Sequence, residues 1–345
     1  MNIVKGLQDF HNKYIKNRLL LKSVLKGGKK TLLDMACGKG GDLYKWIFNQ
    51  ARIVVGMDQA GENITNSEDG AYKRYVQAIT ELGPQKVPPV AFIIGDSSKP
   101  IVSGEAGSTP EEQDMLRSIF GRAEPKGPLP PYIQSKLSGS FRAGADVAAC
   151  MFALHYFFES SDKLDGFLQN LSDTVKMGGY FIGCCFDGDR IFQLLQSIEK
   201  GHARKGWEGN VPLWSITKSY DQDHITEDDA SIGLAIDVEF ISIGSTHREY
   251  LVPFGLLQSK LAEIGFRLLT KEELGASTHT FDVSYQMAEK GKQVFPMSES
   301  VKEFSFLNRW FIFKRQEIVQ VPVPAQETLE DRMAEKPAMP SADDG

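Results

Sequence analysis

Residues 31–42 read TLLDMACGKGGD, an apolar run that leads into a glycine-rich turn. The run 31–36 is typical of a short buried strand, and the turn 37–41 precedes a helix predicted over 42–50. Glycines in such a turn let a ligand approach the backbone, and the N-terminus of the helix favours a negatively charged group. The stretch therefore predicts a ligand-binding strand–turn–helix unit.

The alternation of strands and helices continues along the chain. Further strands are predicted at 52–58, 90–96, 145–154 and 180–185, and further helices at 7–26, 61–82 and 160–177. Alternation of this kind is typical of an α/β fold, in which a parallel sheet carries helices on both faces.

Two segments depart from this alternation. Residues 103–144 are rich in glycine and proline, with one helix predicted near 111–120, and form a long insertion loop between the third and fourth strands. Loops of this length are usually functional or mobile. Residues 316–345 are acidic and poor in aromatic residues, which predicts a disordered tail behind a single domain over 1–315.

Composition excludes several classes of protein. The chain has 345 residues, 41% of them hydrophobic, and a formal net charge of −6. It has no apolar run of the ~18 residues that a membrane helix needs, and its N-terminus does not resemble a secretory signal. The four cysteines fit neither a disulfide framework nor a zinc site. The first 30 residues carry +7 and the remainder −13, so a basic leading helix faces either solvent or a polyanion.

The glycine-rich turn also indicates the class of ligand. A dinucleotide fold requires G-x-G-x-x-G, whereas Gly38-Lys39-Gly40-Gly41-Asp42-Leu43 lacks the third glycine. Asp34 and Asp42 would repel a pyrophosphate. They suit a ligand that has an amino acid end and a sulfonium cation, and S-adenosylmethionine (AdoMet) has both.

Carboxylates at the next two strand ends favour the same ligand. Asp58 follows Gly38 by 20 residues, at the end of the second strand, where a carboxylate can bind ribose hydroxyls. Asp96 and Ser97 end the third strand, where an adenine edge would be read. These aspartates could also be ordinary helix or turn caps. Together with the turn they favour AdoMet.

The full set of motifs resembles the mRNA cap guanine-N7 methyltransferases. The similar stretches are LLDMACGKGGDLYKW at 32–46, CMFALHYFFES at 150–160, GGYFIG at 178–183, EYLVPFGLL at 249–257 and FLNRWFIFK at 306–314. Phe10, Asn12 and Lys16 of the first helix match as well. The insertion and the DGDRIFQLL run resemble the branch found in large DNA viruses and some protists. This resemblance implies a Rossmann-like AdoMet methyltransferase fold with a mostly parallel seven-stranded sheet.

The resemblance also implies the reaction, which is methyl transfer from AdoMet to N7 of the terminal guanosine of a 5′ GpppN cap. Guanine N7 carries a lone pair and no proton, so in-line displacement needs no general base, and catalysis depends on positioning and electrostatics. The sequence offers no nucleophile–base motif that competes with this interpretation. The resemblance implies no metal.

For the cofactor, the resemblance implies that Lys16 pairs with the AdoMet carboxylate. It also implies that Asp34, Ala36 and Gly38 line the methionine end and that Asp42 lies near the ammonium. Asp58 would hold the ribose, and Asp96, Ser97 and Met151 the adenine.

For the cap, the resemblance implies a guanine pocket built by Phe152 and Tyr156, with Phe157 or Phe158 in the core. His155 would contact the cap nucleoside and Glu249 the guanine N1–H and N2–H edge, so that His155, Tyr156 and Glu249 position the substrate. Asn12 would touch the cap ribose, Lys39 the triphosphate, and Trp310 would stack on the cap.

Two other functions stay open at the level of sequence. One is an AdoMet-dependent methyltransferase with another acceptor, and the other is a non-catalytic AdoMet-fold domain that binds RNA or activates a partner. The resemblance implies capped RNA as a partner, together with other capping enzymes or an activating subunit, and a monomer without membrane attachment. It implies location in the nucleus or, for a viral protein, a cytoplasmic viral compartment.

Overall fold

The computed structural model describes residues 3–274 and 279–317. Its strands are β1 (Thr31–Asp34), β2 (Ile53–Asp58), β3 (Val90–Ile94), β4 (Ala145–Met151), β5 (Val175–Phe186), β6 (Ala203–Glu208), β7 (Val211–Lys218), β8 (Ala235–Phe240), β9 (His247–Tyr250), β10 (Phe266–Leu268) and β11 (Asn308–Arg315). Most of the predicted tail, 316–345, lies outside the described residues.

The α-helices are α1 (Lys5–Asp9), α2 (Lys22–Leu25), α3 (Leu43–Phe48), α4 (Gly61–Thr65), α5 (Ala71–Leu82), α6 (Pro110–Phe120), α7 (Pro131–Lys136), α8 (Ser161–Thr174), α9 (Gly188–Leu194), α10 (Phe254–Glu263), α11 (Lys271–Leu274), α12 (Phe281–Lys290) and α13 (Glu299–Phe306). A π-helical segment, Phe10–Leu21, joins α1 to α2, so that the predicted first helix is continuous. A 3-10 turn, Leu154–Glu159, follows β4. None of the described helices is long and apolar enough to cross a membrane.

Seven strands form one sheet in the order β10-β11-β5-β4-β1-β2-β3. The pairs β1–β2, β2–β3, β1–β4 and β4–β5 are parallel, and β11 runs antiparallel to both of its neighbours. This topology confirms the predicted mostly parallel, Rossmann-like sheet. The chain moves outward from β1 in both directions, so the carboxyl ends of β1 and β4 flank a topological switch point, where open α/β sheets bind ligands.

The core forms a layer on each face of the sheet. On one face Leu33 packs with buried residues of α6, α8 and α10. On the other face Leu32 packs with Phe10, Trp46 and Phe281, which belong to the π-helical segment, α3 and α12. The two adjacent leucines point to opposite faces because side chains alternate along a strand.

The predicted insertion folds onto this core. The helix expected near 111–120 is confirmed as α6, which begins with a capping box between Thr109 and Glu112. Leu116, Phe120 and Phe141 are completely buried. The segment therefore contributes to the core beneath the sheet.

The structure differs from the sequence prediction over 61–82, where one helix was expected. Two helices, α4 and α5, are separated by a turn in which the Asn66 side chain accepts hydrogen bonds from the backbone N–H groups of Glu68 and Asp69. Such a side chain offers the backbone an alternative to helical hydrogen bonds. A Cβ at Gly70 would lie 2.6 Å from the Asn66 carbonyl oxygen, so the chain approaches itself too closely there for any other residue.

A second sheet, β6-β7-β8-β9, is antiparallel. Of its residues, the sequence motifs include only Glu249 and Tyr250, which begin the stretch at 249–257 and end β9. Its inner face includes Ile236 and Val238, which are buried, and its outer face carries Asp237 and Glu239. The inner face also holds Glu249, because β9 pairs Glu249 with Ile236.

Candidate functional site

The glycine-rich turn after β1 is tied to the end of β2. Gly38 and Gly40 have φ angles of +54° and +68°, a backbone conformation that favours glycine. The Gly38 N–H donates to Asp58 Oδ2 at 2.7 Å, and Asp58 Oδ1 accepts from Ala60 N–H and Asn63 Nδ2. The two predicted cofactor residues, Gly38 and Asp58, are therefore in direct contact where β1 and β2 end.

Asp34 ends β1 as a buried carboxyl group. Its side chain accepts a hydrogen bond of 3.3 Å from the Ala36 N–H, and the residue is only 2% exposed. Burial, reinforced by the negative charge of Asp42, raises the pKa of Asp34 to about 7. A ligand cation beside Asp34 would lower this pKa and stabilise the carboxylate.

Asp42, just before α3, lies between two lysines. Lys16 Nζ and Lys45 Nζ each approach an Asp42 carboxylate oxygen to 2.7 Å, and all three side chains are largely buried. Burial alone would raise the pKa of Asp42, but the two lysines lower it. The cluster Lys16–Asp42–Lys45 therefore holds a net charge of +1, and Asp42 is already paired rather than open to a ligand ammonium group.

The predicted adenine residues lie at the ends of β3 and β4. Asp96 Oδ1 accepts from the backbone N–H and the hydroxyl of Ser98. The Ser97 hydroxyl donates to the Met35 carbonyl at 2.7 Å, so this side chain is hydrogen-bonded to the residue that follows β1. Met151, at the last position of β4, is 8% exposed.

Phe152 follows β4 in a strained backbone conformation. Its φ angle is +58°, which costs a non-glycine residue about 1–3 kcal/mol. The His11 ring stacks on the Phe152 ring at 5.2 Å, and Lys16 Nζ lies 5.9 Å from the same ring. Backbone strain of this kind clusters at functional sites.

His155 and Glu249 meet although 93 residues separate them along the chain. His155 Nδ1 lies 3.5 Å from Glu249 Oε2, and both side chains are buried. Burial raises the pKa of Glu249 to about 8, and burial, with a smaller effect of His247, lowers the pKa of His155 to about 3. Near neutral pH the imidazole is therefore neutral, and the contact is not an ion pair.

One buried atom of this pair lacks a partner. Among the described residues, none hydrogen-bonds to His155 Nε2. An unsatisfied buried polar atom is costly, so a ligand group that satisfies it would bind with a gain in free energy. Tyr156, beside it, is 45% exposed with its ring centroid 4.2 Å from that of His155.

The structure contradicts the predicted role of Trp310. The indole is 1% exposed, its Nε1–H donates to Ser284 Oγ at 2.9 Å, and it belongs to the core layer of α3 and α12. Trp310 cannot stack on a ligand without unpacking this layer. Every residue from 310 to 313 in β11 is buried, so the apolar pattern did not distinguish a pocket from core.

Two other predicted cap residues are engaged elsewhere. Lys39 Nζ pairs with both carboxylate oxygens of Asp69 at 2.7 and 2.8 Å. Asn12 Nδ2 donates to the Gln8 carbonyl. Lys39 remains partly exposed, so an anion would have to compete with Asp69 for it.

Sequence reasoning missed His11 and Lys45. Hydrogen bonds in a π-helix join residues five apart, which places His11 beside Lys16 on the side that faces Phe152. The sequence pattern of an α-helix, with 3.6 residues per turn, pairs residues three or four apart and so does not predict this pair. Lys45 could have been found, because it follows Asp42 by three residues at the start of a helix.

No group of three or more His, Cys, Asp or Glu side chains in the described part of the chain could hold a metal ion. All four cysteines are buried and unpaired. The site is therefore a set of paired and unpaired charges at the carboxyl ends of the strands, next to the partly exposed ring of Tyr156 and a largely buried carboxyl group, Glu249, from the second sheet.

Comparison with known proteins connects this geometry to one family. The chain is 23% identical over a 359-residue alignment to a probable mRNA-capping enzyme of Acanthamoeba polyphaga mimivirus, covering 93% of this chain and 28% of that protein. It is 29% identical to an mRNA cap guanine-N(7) methyltransferase of Caenorhabditis briggsae, covering 61% of this chain and 50% of the relative. A protein of the same name from Aspergillus niger is 33% identical, covering 57% of this chain and 32% of the relative.

The chain thus spans half or less of the length of these three relatives. A family model, described as the mRNA (guanine-N(7))-methyltransferase domain, matches residues 2–123 and 127–301, which include β1–β10 and every predicted site residue except Trp310. The chain belongs to the mRNA (guanine-N(7))-methyltransferase family.

Proposed function

We propose that the protein transfers a methyl group from AdoMet to N7 of the terminal guanosine of a 5′ GpppN cap. The observation that carries the proposal is the meeting of Glu249 with His155 at the carboxyl end of β4. It places a buried carboxyl group and an unsatisfied imidazole nitrogen beside the partly exposed ring of Tyr156. This combination of groups suits a planar base with N–H donors on one edge.

The charges on the other side of the switch point fit the cofactor. The net +1 of Lys16–Asp42–Lys45 suits a carboxylate, and Asp34, a buried carboxyl group whose pKa is raised to about 7 by burial and by Asp42, suits an ammonium group. This reassigns the ammonium from Asp42 to Asp34. Ala36 and Gly38 line the methionine end, Asp58 accepts from the ribose, and Asp96, Ser97 and Met151 surround the adenine in this proposal.

AdoMet supplies an electrophilic methyl group on a sulfonium centre. The residues of the chain then need only to align guanine N7 and to stabilise the positive charge that the guanine gains. Glu249 as a carboxylate accepts from the N1–H and N2–H edge and favours the cationic product. His155 stays neutral, with its pKa near 3, and orients the nucleoside through Nε2. Phe152 and Tyr156 hold the base by stacking.

The test is a methyl-transfer assay with radiolabelled AdoMet and RNA that ends in GpppG. RNA that ends in ApppG and triphosphate-ended RNA serve as controls. We expect N7-methylguanosine from the GpppG substrate alone. Transfer to all three RNAs, or a methyl group at another atom, would show that the acceptor is not the cap guanine.

Heat stabilisation separates the other two functions that the sequence leaves open. S-adenosylhomocysteine and a cap analogue should each raise the melting temperature. A shift with the cofactor product alone indicates another acceptor, and no shift with either indicates a domain that binds neither. Capped RNA is made in the nucleus or in a viral compartment, and we propose that the protein acts there, beside other capping enzymes.

The pKa of Glu249 predicts how the reaction depends on pH. Only the carboxylate accepts from the guanine edge, and this group has a pKa of about 8 in the free protein. Because kcat/KM reports the free enzyme, we expect kcat/KM to rise about tenfold per pH unit below pH 8 and to level off above it. Both profiles are recorded with AdoMet saturating, so that Asp34, whose own pKa is about 7 without the cofactor, does not contribute, and the profile for Glu249→Gln should then be flat. A wild-type profile that is flat from pH 6 to 8 would contradict the assignment.

A further inference from the structure

A second charged surface lies at the opposite edge of the sheet from the candidate site. It is formed where the chain enters β1, β2 and β3, with Lys29, Arg52 and Pro89 each one or two positions before a strand. Lys29 precedes Asp34 by five residues, which amounts to ~17 Å along a strand. This surface takes no part in the methyl transfer proposed above.

The first part of this surface is a groove between the end of the leading helix and α3. It has a volume of about 650 Å³. Arg18, Lys22 and Lys26 line it, and all three are exposed. Their spacing of four residues places them along one side of the helix.

The second part is an adjoining groove of the same volume, about 650 Å³. Lys29, Arg52 and Lys86 line it, and these are exposed as well. The two grooves meet at Phe48, the last residue of α3, which lines both and is 68% exposed. The Phe48 ring is therefore exposed to solvent between the cations of the two grooves.

These cations are not neutralised by the protein. Among the described residues none that lines either groove is acidic, and none of the six cations has an ion-pair partner there. Lys5 and Lys13, earlier on the same helix, both pair with Asp9. In a chain with a net charge of −6, six unpaired cations on two joined grooves favour a polyanion as the ligand.

We propose that these two grooves bind the body of a single-stranded RNA. The six cations contact phosphates, and Phe48 stacks on a base, which is how proteins bind single strands without reading sequence. The identity of this RNA as the one whose cap occupies the candidate site rests on the proposed function, whereas binding of RNA by the grooves does not.

The first experiment measures binding of a short, unstructured RNA with a 5′-hydroxyl end by fluorescence anisotropy over a range of salt concentrations. Lacking a cap, this RNA tests the grooves independently of the methyl transfer. We expect Lys22→Ala/Lys26→Ala/Lys86→Ala to weaken binding at least about tenfold and to flatten the slope of log K against log salt by about 2. Phe48→Ala should weaken binding roughly tenfold with the slope unchanged.

The control is a triple variant with the same loss of charge elsewhere, Lys136→Ala/Lys205→Ala/Lys290→Ala. These lysines are exposed and line neither groove. An equal loss of affinity in both triple variants would overturn the proposal, because binding would then follow net charge alone. Full affinity in the groove variant would overturn it as well.

A sedimentation assay with vesicles of phosphatidylcholine and phosphatidylserine addresses the other polyanion that could fit. Binding of the wild type to vesicles but not to RNA would show that the surface is a membrane contact, contrary to the proposal.

A second prediction concerns turnover. The triple variant Lys22→Ala/Lys26→Ala/Lys86→Ala should have a higher KM for long capped RNA than the wild type and should turn over the dinucleotide GpppG at an unchanged rate. Loss of both activities would place the grooves in the methyl-transfer site and contradict the proposal of a separate RNA-binding surface.

Discussion

Replacing Glu249 by alanine is expected to lower kcat/KM for cap methylation by about 10²–10³-fold and to leave binding of S-adenosylhomocysteine unchanged. The carboxylate accepts from the guanine edge and stabilises the positive charge of the product, so its loss is felt most in the transition state. Glu249 comes from β9 of the second sheet, while the proposed cofactor residues on the strands lie at the ends of β1–β4. The two binding functions are therefore separable by mutation.

A control variant isolates this effect on the same sheet. Glu239 lies on β8, next to β9, but points from the outer face and is exposed, with Thr246 as its hydrogen-bond partner. We expect Glu239→Ala to retain wild-type turnover. Near wild-type turnover of Glu249→Ala with a GpppG-ended RNA would remove Glu249 from the site.

Although replacing Glu249 should lower activity, removing its ionisation should raise the stability of the protein. Glu249 has a pKa of about 8 in the folded protein and about 4.5 in the unfolded chain. The contribution of this protonated carboxyl group to the free energy of unfolding is therefore fully present below about pH 4.5 and is lost as the pH rises through about 8. At 1.36 kcal/mol per pH unit, the loss by pH 7 is about 3 kcal/mol. Glu249→Gln removes this ionisation. Thermal unfolding should therefore show the variant melting above the wild type at pH 8, with a difference that shrinks toward pH 5.

The sequence predicted the parallel part of the fold well because its strands contain apolar runs that alternate with helices. It also located Asp34 and Asp58 at strand ends, and these are the last residues of the neighbouring parallel strands β1 and β2, whose carboxyl ends meet at one edge. It missed the strands β6, β7 and β8 of the second sheet, and it interpreted Trp310 as a ligand contact. Along β11 both faces are apolar, so only the packing decides which side chain reaches a pocket.

The pairing of charges was beyond sequence reasoning for a different reason. Asp42 was expected near a ligand ammonium and Lys39 near a phosphate, and each instead has a partner within the protein. Which of several nearby opposite charges pair depends on tertiary distances of a few ångströms. Such pairings are also the contacts that a mutation disturbs most when they are buried.

Asp42 therefore carries the second large prediction. Asp42→Ala leaves the buried ammonium groups of Lys16 and Lys45 without their shared carboxylate, and removing one partner of a buried ion pair costs about 3–5 kcal/mol. The free energy of unfolding from urea titration measures this loss. We expect Lys16→Met/Asp42→Ala to be less destabilised than Asp42→Ala, with a coupling of about 1–3 kcal/mol, because only one lysine then stays unpaired.

The chain contains its own control, since Asp9 also accepts from two lysines, Lys5 and Lys13, on the surface of the same helix. There the lysine side chains are 62% and 68% exposed, against 13% for Lys16, so water screens the charges and Asp9→Ala should cost no more than about 1 kcal/mol. Equal losses for Asp9→Ala and Asp42→Ala would show that burial of the second cluster contributes nothing. Cofactor binding also distinguishes the Asp42 cluster from the Asp9 cluster, because only the Lys16–Asp42–Lys45 cluster, with its net charge of +1, is proposed to bind the AdoMet carboxylate. Lys16→Met should weaken AdoMet binding while Lys13→Met does not.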